Sequence, residues 1–484
     1  MVNISSKELF VSLLSNISIA LIASIVGRGT SFLLFAIVAR GVSASDAGIY
    51  ALAMNYLALF LPISSLGLND AAARDVAKDR DSARAYLVNL GFLRLVSGFI
   101  CYSLLALTSV GIFDYPVDTA WVILLVGLSI IPDGLTQLFQ AMFTAFEQQT
   151  YNVIVTVVIS VTNLGLTGLA LYAGESVALL AWVRLTCACL GFFTSFILIH
   201  KLMPGYRLQK PDLTWIGARL RIYFPFTMMV IFHTVEWRGD LLILSASRTE
   251  SEIAGYYAAH ALLMALMLLL DAYSLAILPP MSRLLQNDSK YLGHLHDRSF
   301  WYLSILVIPM AVGVSLMAKD ILSTFNPGFT PASGALAILM LAGVISFLNE
   351  PNSRIMVAAG YQSATAVLLG ISMVMNVVAN LILAPRLGGL GSAIARVLSV
   401  TTFSVPNAIL VSYLIRSYNP LQKLFPVLLA AGCMAIAICV LKYFLPWYLA
   451  GLMSIGVYIS MLVVFNGVPT DDYKFMANIL RHRG

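Results

Sequence analysis

Apolar residues run along this chain in blocks of about twenty, separated by short polar stretches. A helix of that length crosses the hydrocarbon core of a bilayer. By that measure the pattern predicts about fourteen spans, with cores at 17–39, 47–69, 86–109, 120–140, 153–173, 178–199, 222–245, 255–280, 300–318, 332–356, 363–384, 390–414, 424–441 and 449–466. Some neighbouring blocks are only a few residues apart, which leaves a count of twelve or thirteen open. The runs are unbroken and lack the alternating ten-residue pattern of barrel strands. The predicted fold class is an all-α polytopic membrane protein.

The polar positions between the blocks set the orientation. With the N-terminus inside, eighteen Lys and Arg residues fall in interior segments and five (Arg40, Arg248, Lys319, Arg386, Lys442) in exterior ones. Basic loops stay on the cytoplasmic side. The expectation is a multi-pass protein of the plasma (inner) membrane, with both termini cytoplasmic. Trp121, Trp182, Trp215, Trp301 and Trp447 sit at or near span ends, and Trp237 lies within a span. The largest interior connections, around 200–221 and 281–299, are about twenty residues long, too short for a soluble domain.

Composition agrees: 60% of the 484 residues are hydrophobic and 11% charged, against roughly 25% charged in soluble domains. The net charge of +6 resides largely in the loops, where it reads as a topology signal rather than a nucleic-acid patch. The five cysteines lie in apolar stretches without metal-ligand spacing and read as small apolar fillers. No small-residue cleavage site follows the first apolar run, so an uncleaved span is expected there.

The pattern repeats. Ala-Gly-Ile-Tyr at 47–50 returns as Ala-Gly-Tyr-Tyr at 254–257, an offset of 207, and Arg40 and Arg248 stand at nearly the same offset. Six spans fit within it, so both copies would insert in the same direction, as in transporters built from parallel repeats. The predicted organisation is a six-helix lobe over 1–200, a cytoplasmic linker over 201–221, a second six-helix lobe over 222–414 related by pseudo-twofold symmetry, and two additional helices with a cytoplasmic tail over 415–484.

The stretch Gly29–Arg74 resembles the N-terminal region of polysaccharide and O-antigen repeat-unit flippases, within the multidrug/oligosaccharidyl-lipid/polysaccharide exporter superfamily. It carries Ala39-Arg40, Gly48, Tyr50 and Leu66-Gly67-Leu68, and departs at Ala47, where Phe is commoner. Arg238-Gly239-Asp240, Ala254 to Tyr257, Pro279 to Ser282 and Gly388 to Ala393 echo the same family. The resemblance implies a polyprenyl-pyrophosphate-linked oligosaccharide as substrate, moved from the inner to the outer leaflet by alternating access. It also implies membrane lipids and polysaccharide polymerase or assembly proteins as partners.

Six arginines lie inside the spans: Arg28, Arg94, Arg184, Arg238, Arg354 and Arg396. Each would cost about 2.5–3.5 kcal/mol facing lipid at mid-depth. They must therefore snorkel, pair or line water. Arg94, Arg184 and Arg396 are near enough to span ends for snorkelling, and Arg354 lies one turn after Glu350, the spacing of a helical ion pair. Arg28 shares a helix stripe with Asn16, Ser24 and Ser31, which should face a wet interior. In span seven, His233, Glu236, Trp237 and Asp240 fall on one face, with Arg238 roughly 140° from His233. The candidate substrate-binding residues are Arg28, Arg94, Arg238, Arg396, Ser24 and Ser31. The candidate ion-coupling residues, for H+ or Na+, are His233, Glu236 and Asp240, with a static pairing network as the alternative. Asp133 in Ile-Pro-Asp-Gly, Asp271, and Asn349 to Asn352 are weaker candidates, and Pro132 and Pro351 can break helices.

The chain has no G-x-x-x-x-G-K-[ST], no H-E-x-x-H and no G-x-S-x-G. No catalytic residue, metal or cofactor is expected beyond a coupling ion. The expected function is a flippase. An ion-coupled small-molecule exporter of the same superfamily is the alternative, and a membrane glycan polymerase or ligase is disfavoured by the short outer loops.

Overall fold

The computed structural model describes residues 27, 29–174, 176–204, 210–287, 289–415, 424–465 and 467. Among them there are helices and no strands. In chain order these are α1 (Gly29–Gly41), α2 (Ala44–Ser65), α3 (Leu68–Lys78), α4 (Ala83–Ala106), α5 (Val117–Gly127), α6 (Ile130–Ala145), α7 (Gln149–Tyr172), α8 (Val177–Leu202), α9 (Leu213–Ser245), α10 (Glu250–Asn287), α11 (Ser289–Leu316), α12 (Ala318–Phe325), α13 (Ser333–Ala358), α14 (Gln362–Leu387), α15 (Gly389–Leu414), α16 (Leu424–Leu441) and α17 (Trp447–Val464). Thirteen stretches among the described residues are long and apolar enough to cross a membrane, α5 and α6 together forming one, and the shorter apolar α1 stands beside them. Each matches a predicted span. The first predicted span, 17–39, begins outside the described residues.

The chain divides into two compact units. Unit 1 comprises the residues up to Ala261 together with Asn376–Gly388; unit 2 comprises Leu262–Met375 and the residues from Gly389 onward. Within unit 1, α2 packs against α4, α5, α6, α8 and α9, and α6 packs against α3, α4 and α8. α9, which the repeat assigns to the second lobe, thus packs within unit 1. Within unit 2, α13 lies against α11 and α15, and α16 packs on α17 and α11. Tyr458 of α17 donates to the carbonyl of Ile305 in α11 at 2.9 Å, and Lys442 pairs with Asp320.

The hydrophobic pattern carries span two through residue 69, but α2 stops at Ser65. Leu66 (φ 51°) and Gly67 (φ 67°) are both left-handed, a conformation that costs a side-chain-bearing residue and suits glycine. Gly67 is needed twice over, because a Cβ there would come within 3.2 Å of the Phe226 carbonyl oxygen in α9. The chain then restarts as α3, an amphipathic helix that buries Leu68, Ala71, Ala72 and Val76. Asp75 fastens α3 to its neighbours. It accepts hydrogen bonds from Tyr86 of α4 at 2.7 Å and from Tyr223 of α9, and it lies 3.4 Å from Arg219 and 3.5 Å from Arg74. Burial acts to raise the Asp75 carboxyl. The hydrogen bonds from Tyr223 and Tyr86 and the charges of Arg74 and Arg219 outweigh it and hold the group below its ordinary value.

Neither of the two prolines able to break a helix does so here. Pro132 sits in the first turn of α6, where no intrahelical donor is lost. α13 runs unbroken through Pro351.

Candidate functional site

Intramembrane arginines are the costly groups here, so the site is built from where each one lies. In unit 1, Arg184 of α8 forms an ion pair with Asp133 of α6, both side chains 12% exposed. Pairing rather than snorkelling thus accounts for Arg184, and Asp133 acquires a role. One turn further along α6 is Gln137, whose Oε1 accepts from Asn69 Nδ2 at 3.4 Å. Asn69 opens α3, and its Oδ1 accepts from the guanidinium of Arg94 in α4.

Arg94 does not snorkel either: it is 5% exposed. Its Nη1 is buried without a hydrogen-bond partner among the described residues. Arg184 also has a buried Nη1 without one, but Asp133 meets its charge. Around Arg94 the described partner is a neutral amide, and no carboxylate of a described residue lies within ion-pair distance. A buried ion without a counter-charge costs several kcal/mol. Among the described residues, the two arginines near the polar stripe of α6 thus differ: Asp133 neutralises Arg184, and Arg94 meets only an amide.

The other predicted residues are distributed as follows. Arg28 and Ser24 lie outside the described residues. Ser31 of α1 is exposed, donates to the Gly27 carbonyl at 2.9 Å, and lines a groove with Thr30 and with Thr156, Ser160 and Asn163 of α7. Arg238 in α9 is partly exposed, and its carbonyl accepts from Asn55 of α2 at 3.0 Å. Arg396 in α15, within unit 2, is fully buried; snorkelling does not describe it.

On α9, His233 is exposed while Glu236 and Asp240 are buried. Asp240 Oδ2 accepts from Tyr256 of α10 at 2.8 Å. The Trp237 ring lies 6.0 Å from His233 and 6.4 Å from His260. Sequence reasoning missed Tyr256 and His260, although Tyr256 belongs to the repeated Ala-Gly-Tyr-Tyr. It also missed Asn69 and Gln137. Gln137 was detectable as the residue four after Asp133; Asn69 had no signal, because its role depends on the break at Gly67.

Unit 2 carries a polar network of its own. Arg354 pairs with Glu350 as their spacing predicts, and Ser274 donates to Glu350. His296 lies 2.9 Å from Asn352 Oδ1, and Asn407 donates to Ser353 at 3.1 Å and to Asn349 at 3.3 Å. Asp271 is exposed. All five cysteines are free thiols, and no group of three or more His, Cys, Asp or Glu suited to a metal occurs among the described residues.

Solved membrane transporters share this polytopic helical fold. The lipid II flippase MurJ in an inward closed conformation superposes with a TM-score of 0.74 at 14% identity, over 94% of this chain and 99% of that one. An inward-facing multidrug resistance MATE family transporter gives 0.66 at 14% identity, over 81% and 96%. The chain belongs to the polysaccharide biosynthesis protein family, whose family model matches residues 13–285. This bears out the resemblance read from Gly29–Arg74. An uncharacterized membrane protein of Methanocaldococcus jannaschii is 22% identical over 76% of this chain and 77% of its own length. The probable flippase AglR of Haloferax volcanii is 24% identical over 49% and 46%.

Proposed function

We propose that this protein is a flippase that moves a polyprenyl-pyrophosphate-linked oligosaccharide from the inner to the outer leaflet by alternating access, for surface polysaccharide biosynthesis. The observation that carries the reading is the guanidinium of Arg94, buried with no carboxylate partner among the described residues, in a member of the polysaccharide biosynthesis protein family. Such a charge suits an anionic cargo, and arginine matches phosphate oxygens in geometry as well as in charge. The name of AglR supports the flippase step. Both termini are cytoplasmic in this reading, and the protein hands its cargo to polymerase or assembly proteins. The buried Glu236 and Asp240, with His233 at the edge, are the candidates for H+ or Na+ coupling.

Deleting the gene and assaying which leaflet holds the lipid-linked oligosaccharide tests this. The expected result is loss of surface polysaccharide, with the intermediate protected from an added glycosidase in intact spheroplasts. Unchanged access to the glycosidase would overturn the reading. The likeness to a multidrug MATE transporter supports a second reading, an ion-coupled small-molecule exporter. It predicts increased sensitivity to cationic dyes in the deletion strain, with polysaccharide intact.

A further inference from the structure

We infer that the segment 113–115, between α4 and α5, is a releasable latch that holds the C-terminal end of α9 against α2 through Tyr115. That the latch opens during export rests on the flippase reading; that it opens at all does not.

The segment leaves α4 by an irregular path. α4 passes into one wide turn over Leu107–Ile112, where the Phe113 N–H donates five residues back, to the Thr108 carbonyl at 2.9 Å. Asp114 follows in the left-handed region at φ 47°, a costly conformation for a residue with a side chain. Tyr115 then reaches Ser245, the last residue of α9. The Ser245 hydroxyl donates to the Leu242 carbonyl at 2.7 Å, so the Tyr115 hydroxyl is the donor between the two. The Tyr115 ring meets Tyr56 of α2 edge to face, with centroids 6.3 Å apart, and stacks on Phe113 at 5.7 Å. What joins Tyr115 to α9 is thus a bond between two neutral hydroxyls, weaker than a charge-assisted one. Against it stand the left-handed Asp114 and the fully buried Tyr56, whose hydroxyl has no hydrogen-bond partner among the described residues. A gain opposed by costs of the same order makes a contact that opens. Towards its other end α9 is fastened by charge, where Asp75 accepts from Tyr223 and faces Arg219. The helix is held firmly there and lightly at Ser245, and Glu236 and Asp240 lie between the two. Release of Tyr115 frees the turns that follow Asp240 to lean away from α2.

The full-length protein, with its five cysteines replaced by alanine, can report the opening. Leu244 is fully buried, so a thiol placed there by Leu244→Cys reacts with a maleimide only when the end of α9 lifts. In phosphatidylcholine nanodiscs, Tyr115→Phe keeps the ring, loses the hydroxyl and should speed that reaction several-fold, the value of one neutral hydrogen bond. Ser245→Ala should do the same. Unchanged rates in both variants would overturn the latch. A second measurement, which also serves if Leu244→Cys does not fold, asks whether opening belongs to export. Tyr115→Cys with Ser245→Cys can be bridged by a short bis-maleimide; a disulfide would not span the space that the tyrosine ring fills. In a deletion strain carrying this variant, bridging should stop the appearance of new surface polysaccharide, whereas N-ethylmaleimide, which caps the thiols without joining them, should not. Normal export by the bridged protein would overturn the inference and leave the flippase reading standing. A deletion strain that keeps its surface polysaccharide sinks that reading instead, and the maleimide rates still decide the latch.

Discussion

Gly48 of α2 lies directly against the backbone of Glu250 at the start of α10: a Cβ on Gly48 would fall 1.9 Å from the Glu250 carbonyl oxygen. The clash would be with main chain, which cannot swing aside. Gly48 belongs to the first copy of the repeated Ala-Gly-x-Tyr, and the second copy begins at Ala254, one turn beyond Glu250. Phe35 and Tyr257 meet edge to face nearby, with centroids 4.9 Å apart. The glycine of the first copy is thus a close-packing device in the structure.

Gly48→Ala should therefore destabilise the protein, by about 1–3 kcal/mol or more, as overpacking does. Gly165→Ala is the matched control. It also lies within a helix, but nothing stands within 4 Å of its added methyl, and it should be neutral or slightly stabilising. Thermal unfolding of the two variants in detergent checks this. Equal melting temperatures would contradict the contact.

Breaking the Arg184–Asp133 pair should be costly and mending it should not. Arg184→Met leaves the buried Asp133 carboxyl without its partner, and removing one partner of a buried pair costs about 3–5 kcal/mol. The double variant Arg184→Met with Asp133→Leu removes both charges and should recover most of the folded yield. Because the pair meets its own charge, the double variant is also expected to keep export activity. Yield after size-exclusion chromatography and a surface-polysaccharide assay read the two effects separately.

Asp75 should give the protein an acid-sensitive fastening between α3, α4 and α9. Its folded value lies below the ordinary 3.8, so the charged form favours the folded state. That contribution is fully present above about pH 5. It fades as the pH falls through 3.8 towards the lower folded value. Asp75→Asn should cost about 2 kcal/mol at neutral pH, and the difference from wild type should vanish at low pH. Melting curves between pH 7 and pH 3 supply the check; a pH-independent gap would show that the carboxylate charge is not what holds α3.

Orientation can be read with reporters at the C-terminus. If the basic loops lie inside, as the positive-inside rule expects, a fused green fluorescent protein should fluoresce and a fused alkaline phosphatase should stay inactive. The reverse outcome would invert every inner and outer assignment, including the direction of transport in the proposed function.

The spans were legible along the chain because crossing a bilayer is a local requirement: twenty apolar residues satisfy it whatever lies beside them. The family was legible for a similar reason, since Gly48 and Tyr50 recur at fixed spacing. The Glu350–Arg354 pair was legible too, as helical periodicity alone brings residues four apart together. The fate of the remaining arginines was not. Arg94, Arg184 and Arg396 read alike in sequence, each a few residues inside a span. What separates Arg94 from Arg184 is which residue another helix brings to it: Asn69, placed by the left-handed turn at Leu66 and Gly67, or Asp133, placed by the packing of α6 on α8. The cost of a charge in lipid is a property of one residue, and the sequence states it. Neutralisation belongs to a pair, and only tertiary structure chooses the partner.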